Sequence, residues 1–587
     1  MVTTRNLATW MAACATGLWL CGCQPAGNGG NGSRNDNGTA TPNDNSGTVG
    51  GNDNAGDGGN IDVPGPVLLG DPGAARIFFS DLTSGPSRGG YNDAGAVVTL
   101  YGNGFGDERG AATVTVGGGP AADYLAWGDT RIAFQLGSDA RTGDIVVHTG
   151  AGDSNAVPFV VREGGIFCVS LDGNDQAGGA FGDCWASLPL AVDAVGPGDI
   201  IYVMDGVTAE TEHRFNAALS IETDATADAP IALVAWPGAA VTIGVPEGLE
   251  MGLRAGIGVP ADYWVIAGLR FRGVTSAIEL NGTGVEGWRV VGNDISCPDG
   301  DGQTGCFAAS LATYVRFLGN EVHDTGIGGA SKQYHAVYFT TDAVHVEVGW
   351  NYIHDNNTCR AIQFHSSPLC TPDCGPTDTT GFNQYDLIVH DNVIHGDACD
   401  GIVFATVDPS QGPVEAYNNV IYEVGRGPDP PDGAANYAGI YVPGYLNNGP
   451  EGTGVVEVYN NTIYDCGAQG GSAAGAIARD EYSPGLTLRL RNNIIVQPAG
   501  QPYLTADTHP DLLMGENNLW FGDGPGPAGL TGNIDADPRF VDGAAFDFRL
   551  DDGSPAIDAG IDIGLGWDII GANRPAGEAV DLGAFER

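Results

Sequence analysis

Positive charge is scarce in this chain and lysine almost absent: 24 Lys and Arg stand against 72 Asp and Glu, and Lys332 is the only lysine among 587 residues. The resulting formal charge of -48 opposes phosphate backbones and anionic membranes, so nucleic acid is not an expected partner. Helical periodicity is hard to find. No GxSxG elbow, HExxH pair, phosphate loop or dinucleotide fingerprint stands in a suitable context, and no pair of CxxC knuckles suggests zinc. What is abundant is glycine, at 94, and proline, at 34, with only 16% charged residues. That composition fits a turn-rich, all-β chain.

The first residues read as an export signal, with Arg5 in a short polar start and an apolar stretch from Leu7 to Leu20 that is too short for a comfortable membrane span. The stretch ends Leu20-Cys21-Gly22-Cys23, which resembles the lipobox of bacterial lipoproteins. The resemblance implies cleavage after 1–22, lipidation of Cys23, and a place at the cell envelope, with the membrane touched only through the lipid. Residues 23–66 are rich in Gly, Asn and Asp, cannot bury a core, and read as a flexible tether.

From 67 to 163 short alternating strands follow one another, among them Ala96-Val97-Val98-Thr99-Leu100, Thr113-Val114-Thr115-Val116 and Asp144-Ile145-Val146-Val147, with glycine-rich turns between them. The run Val98 to Gly106, with Val114 to Gly118 and Pro158-Phe159-Val160-Val161, resembles the IPT/TIG family of immunoglobulin-like sandwiches, which act as spacers or binding modules.

Beyond this unit one phrase recurs, an Asn followed two residues later by a large apolar residue: Asn293, Asn320, Asn351, Asn392, Asn419, Asn461, Asn493 and Asn518. The gaps of 27, 31, 41, 27, 42, 32 and 25 residues read as solenoid coils whose loops vary while their strands do not. The Asn side chains are expected to bond backbone groups at a bend and one another. Each coil offers three strands, such as Val346-Glu347-Val348, Tyr352-Ile353 and Ala336-Val337-Tyr338-Phe339, so three parallel sheets are expected. The block Leu171 to Asp175, Trp185 to Leu188 and Gly196 to Gly206 resembles the opening of pectate-lyase-like right-handed parallel β-helix proteins, which implies a short capping helix between Trp185 and Val195. The segments Asp537-Pro538-Arg539-Phe540, Gly553 to Gly560 and Asp581 to Glu586 resemble the closing segment of bacterial surface β-helix proteins. The expected fold is therefore all-β: a small immunoglobulin-like sandwich, a three-sheet right-handed parallel β-helix over 164–530, and a closing segment over 531–587.

Nine cysteines follow the tether. Cys168 with Cys184, Cys297 with Cys306, and Cys370 with Cys374 are close enough to staple local loops. Cys359 and Cys399 precede aligned strands on neighbouring coils, a spacing that a disulfide accepts, and Cys466 is left over.

Seven of the ten histidines fall between His323 and His395, around Lys332. His323, His354 and His395 each stand three residues after a ladder Asn and read as a structural stack. A second strip is richer in chemistry: Tyr338, Gln363 and His365 fall on the outward side of aligned strands, His335 and Arg360 share the position just before them, and with Lys332 they are expected to converge on two neighbouring coils. Polysaccharide lyases of β-helix architecture remove the proton next to a uronate carboxylate after a cation has neutralised it. On that pattern Lys332 is the candidate base, Arg360 the carboxylate clamp, His365 or Tyr338 the proton donor, and His335 and Gln363 substrate ligands. Calcium stays open as a counter-ion, although Asp397, Asp400 and Asp408 show no ligand spacing. The paired carboxylates of a glycoside hydrolase have only Asp480-Glu481 or Asp397 with Asp400 to draw on. The sequence thus points to a monomeric, lipid-anchored envelope protein that binds, and as a lyase would cleave, an acidic polysaccharide; the rival reading is a non-catalytic adhesion or scaffold protein.

Overall fold

Eight buried asparagines fix the geometry of the coils. Each ladder Asn is at most 1% exposed. Asn351 shows the pattern: its backbone N–H and its Nδ2 both donate to Oδ1 of Asn392 at 2.9 Å, and Nδ2 also donates to the Phe317 carbonyl at 2.9 Å. The chain of amides runs without a break from Asn293 to Asn518, each ladder Asn up to Asn493 donating its Nδ2 to the Oδ1 of the next.

The computed structural model describes residues 72–282, 284–366, 383–443, 452–479, 485–505 and 512–587. Cys23, Cys370, Cys374, Asp480, Glu481 and the segments 1–22 and 23–66 lie outside them. All described residues belong to one compact unit, Gly58–Arg587. Among them the coils build three parallel sheets of 12, 12 and 10 strands. The first runs from Ile166–Val169 to Leu513–Glu516, the second from Thr208–Ala209 to Ile534–Asp535, and the third from Ala217–Ile221 to Leu504–Thr505. Inward residues such as Ile201, Leu233, Ile266, Val290 and Phe317 form one continuous core. A helix, α1 (Leu188–Ala194), caps the open end with Leu188, Ala191 and Val192 buried. No helix among the described residues is long and apolar enough to cross a membrane.

Ahead of the coils stand two antiparallel sheets. One orders Arg76–Ser80, Val97–Asn103, Arg131–Gln135 and Asp123–Trp127; the other is built around Gly143–Thr149, flanked by Thr113–Val116 and Val157–Val161. This sandwich lies flat on the outer face of the first sheet. An apolar register row, Tyr202, Val234, Ala267, Val291 and Leu318, shares one buried cluster with Ile77, Phe79, Val98 and Leu100. Tyr202 also crosses the seam, accepting from the Val97 N–H at 2.8 Å and donating to the Val97 carbonyl at 2.7 Å. The residues after Arg539 fold back over the second sheet, where Phe548, Ile569, Ile570 and Phe585 pack on Val393 and Val420.

One column of residues records what covers each coil. The residue immediately before each ladder Asn is left-handed, at φ from 51° to 61°. Under the sandwich it is glycine, because a Cβ on Gly292 would sit 2.2 Å from Tyr101 Oη and one on Gly319 would sit 2.5 Å from Phe79 Cζ. At the rim it is Trp350, stacked on Phe78 at 5.7 Å. Under the closing segment it is Asn418, Asn460, Asn492 and Asn517, whose Nδ2 atoms donate to the carbonyls of Trp567, Asp581, Ile561 and Ala559 at 2.8–3.2 Å. A Gly319→Asn variant keeps a residue that accepts this φ but drives a side chain into Phe79, with an expected cost of about 1–3 kcal/mol. Limited proteolysis should then cut between the sandwich and the first coil; an unchanged digest and melting temperature would contradict this seating.

Cys168–Cys184 and Cys297–Cys306 are disulfides. Cys359 and Cys399 depart from expectation. They do stand on neighbouring coils beside the paired Arg360 and Asp400, but both are free, buried thiols. A hydrogen bond from Cys359, and then burial, pushes the Cys399 thiol far up. Two thiols stand side by side where a covalent bond was expected. Cys466 is also free and buried.

Candidate functional site

The third sheet positions the strip that the sequence singles out. Val337, Ile362 and Ile402 are paired in register and point inward, which turns Tyr338, Gln363 and Val403 outward and aligns His335, Arg360 and Asp400 at the strand starts. Tyr338 Oη lies 3.2 Å from His365 Nδ1, and the His335 ring meets Tyr338 edge-on at 4.4 Å. Arg360 is answered from the next coil, its Nε 3.6 Å from Asp400 Oδ2, and its Nη1 donates to the Lys332 carbonyl. Asp400 Oδ1 accepts the Ala438 N–H at 2.9 Å.

Burial governs the charges here. His335 is driven well below the usual imidazole range by burial and then by the charges of Arg360 and His365. His365 is lowered to about 4 by burial and the Arg360 charge, so both rings are neutral near pH 7. Burial lifts Asp400 to about 7, partly offset by Arg360. The buried polar atoms here that make no hydrogen bond include His335 Nδ1 and Gln363 Oε1.

Five of the six predicted residues therefore meet. Lys332 sits apart at the lip, where its backbone N–H and the Ser331 hydroxyl both donate to Asp432 at 2.9 Å. Among the described residues its ammonium makes no ion pair or hydrogen bond. The strip is also covered: Tyr338 is 8%, Gln363 6% and His335 3% exposed.

His323, His354 and His395 form a stacked column on the second sheet, with ring centroids 5.6 and 5.4 Å apart, continued by Tyr422 at 4.6 Å. Burial would lower His323, but hydrogen bonds that its ring donates to Asp294 and Asp324 outweigh it and raise the ring to about 8; His395, buried next to His354, is lowered to about 4. Every ring nitrogen that faces an acid is bonded to it, which leaves a structural stack. The donor set does not fit a calcium site either. Among the described residues no three His, Cys, Asp or Glu are grouped to hold a metal, Asp400 faces Arg360, and Asp408 is engaged by Ser410, Gln411 and Thr453.

One feature escaped the sequence. An open cleft of about 330 Å³ lies at the seam of sandwich and coils, between Tyr101 and Arg131 on one side and Trp236, Gly268, Arg270 and Asp294 on the other. Its walls lie more than a hundred residues apart, and no local pattern pairs them.

No protein-family model matches the chain, and no curated protein does. Solved structures similar to it include the pectate lyase Pel9A, at 17% identity over 73% of this chain and 97% of that one with a TM-score of 0.37. The xylose complex of XylC has 10% identity over 72% and 98% of the two chains with a TM-score of 0.41, and a rhamnogalacturonan lyase 12% over 64% and 90% with 0.35.

Proposed function

We propose that the chain binds an acidic polysaccharide through the outer face of its third sheet, and that β-elimination is the reaction this face is built to perform. The observation that carries the reading is the buried strip with unpartnered polar atoms. A polar group buried without a partner costs about 1–3 kcal/mol, and such a cost concentrated on adjacent coils supports a ligand role for His335 and Gln363. In this reading a substrate carboxylate displaces Asp400 from Arg360. Lys332 takes the proton from the carbon next to that carboxylate, the carbon–oxygen bond one carbon further breaks, and the Tyr338–His365 pair protonates the leaving oxygen. Solved structures similar to the chain are named as a pectate lyase, a rhamnogalacturonan lyase and an alginate lyase. The proposal extends to the address, with Cys23 lipidated, 23–66 as tether, the sandwich an IPT/TIG-like module and the protein a monomer on the cell envelope.

A second reading, non-catalytic glycan adhesion, has its own support in the Arg360–Asp400 pairing and in the covered strip, because a polymer reaches these groups only when the face opens. Incubation with polygalacturonate and alginate, with and without calcium, separates the two. The lyase reading expects growing absorbance from the unsaturated product, reduced about 10²–10⁴-fold by Tyr338→Phe and Lys332→Ala at unchanged melting temperature. No product on any polymer, with binding retained on a glycan array, establishes adhesion instead.

A further inference from the structure

One loop reaches across the third sheet. Between the strands Val420–Tyr422 and Tyr437–Val442 the chain does not enter the next coil at once. Residues 425–436 first run back to Ser331, 101 residues earlier, just ahead of the strand His335–Thr340 that lies three places back in the sheet. The loop thus passes the starts of the two strands between, Arg360–His365 and Asp400–Phe404, where the Arg360–Asp400 pair lies.

The two ends of this strap are fastened differently. At the root the bonds are backbone to backbone: the Gly425 and Gly427 N–H groups donate to the carbonyls of Asp397 and Ala398 at 3.0 and 2.9 Å, and Tyr437 donates to the Ala473 carbonyl at 2.9 Å. At the tip, among the described residues, Asp432 makes both hydrogen bonds to the lip. Its carboxylate accepts from the Ser331 hydroxyl and from the Lys332 N–H, and both bonds are open to solvent. Exposed bonds of this kind compete with water and hold weakly. Gly433, next to Asp432, stands at φ 113° with nothing within 4 Å of a Cβ position, so the tip bends without being packed. A segment with few buried apolar contacts opens at lower cost than the coils beneath it.

Beneath the strap lie the groups that the site needs. Ala435 and Tyr437 pack on the thiols of Cys359 and Cys399. Arg360 and Asp400 are each joined to one strap attachment. Arg360 Nη1 donates to the Lys332 carbonyl, beside the tip, and Asp400 Oδ1 accepts the Ala438 N–H, beside the root, at 2.9 Å.

We infer that residues 425–436 are a hinged strap that gates the third-sheet strip, with Asp432 as its latch. Closed, the strap holds the Lys332 backbone against Arg360 and keeps that arginine on Asp400; released, it gives a substrate carboxylate access to the pair. Asp432 is a positioning residue, acting through Ser331 and Lys332. The inference rests on the reading of this face as a polysaccharide site and supplies the opening that its covered strip requires.

The thiols report the opening without any ligand, because modification of a covered group tracks the population of the open form. In the full chain, reaction with N-ethylmaleimide is followed peptide by peptide with mass spectrometry. Asp432→Ala should speed it about tenfold at Cys359 and Cys399, with the melting temperature and the core thiol Cys466 unchanged. Ser331→Cys with Asp432→Cys places two sulfurs where the side chains already meet at 2.9 Å. The cross-linked strap should slow modification about tenfold and prevent binding of polygalacturonate and alginate. Reductant should restore both, judged against the parent given the same reductant. Equal modification rates in the parent, Asp432→Ala and the cross-linked protein overturn the inference, as does polymer that binds the cross-linked protein as well as the parent. Rates that move as expected in a parent that binds neither polymer support the strap and discard the polysaccharide reading instead.

Discussion

Replacement of Asn392 by alanine should remove most of the stability of the coils around it, by about 4–6 kcal/mol. The Asn392 side-chain oxygen accepts two hydrogen bonds from Asn351, and its Nδ2 donates to the Val348 carbonyl and to Asn419 Oδ1, all four at 2.9 Å and buried. Alanine leaves two N–H donors of Asn351 and the Val348 carbonyl without these partners, each at about 1–3 kcal/mol, while Asn419 Oδ1 keeps the backbone N–H of residue 392; a typical domain stability is about 5–15 kcal/mol. Each coil touches only its neighbours, so the damage should be local. Hydrogen exchange should rise first at Asn351, Asn419 and the strands between them, and denaturant unfolding should become broader or biphasic. A loss below about 1 kcal/mol would mean that the amide chain follows the bend and does not support it.

The second large effect is expected at Arg574, where removing one partner of a buried ion pair costs about 3–5 kcal/mol. Arg574 bonds Glu586 at 2.7 Å with both side chains at most 1% exposed, and it donates further to the carbonyls of Asp581 and Gly583 at 3.1 and 2.7 Å. Glu586 in turn accepts the backbone N–H groups of Ala576 and Asp581 at 3.1 Å. Arg574→Met removes the centre of this knot and leaves the Glu586 carboxylate buried without its cation. Protease should then release fragments from the region after Arg539 while the rest of the chain stays resistant. If Arg574→Met melts with the parent and resists protease equally, the closing segment is held by its apolar contacts alone.

The coil geometry was legible because it is repeated and local. A buried amide must find a partner at every rung, so Asn293 to Asn518 mark the bend, and three residues later His323, His354 and His395 fall into one stack. Matching Ile362 to Ile402 placed Arg360 beside Asp400 correctly. The burial of the strip and the engagement of Arg360 were not legible, since alignment fixes the rung of a residue and not what lies over it. The seat of the sandwich is written in the strands that lie beneath it. Ile200-Ile201-Tyr202-Val203 and Trp264-Val265-Ile266-Ala267 are apolar without alternation because both faces are buried, whereas Val346-Glu347-Val348 and Val456-Glu457-Val458 alternate beyond the seat. The doublets Gly292-Asn293 and Gly319-Asn320 against Asn460-Asn461 and Asn492-Asn493 carry the same information about the two covers. The thiols of Cys359 and Cys399 show the opposite limit: adjacency was readable, oxidation state was not.

The flat seating of the sandwich sets the path of mechanical load. A pull on the chain ahead of residue 72 does not reach the end of the solenoid, where it would peel one coil at a time. It enters sideways, through Tyr202, the Arg289 donation to the Ser80 carbonyl at 2.7 Å, and the stack of Phe78 on Trp350, which lie on different coils. Contacts loaded side by side must fail together, so the coils are held in shear, and such a pull would strain the seam before it strained a single rung.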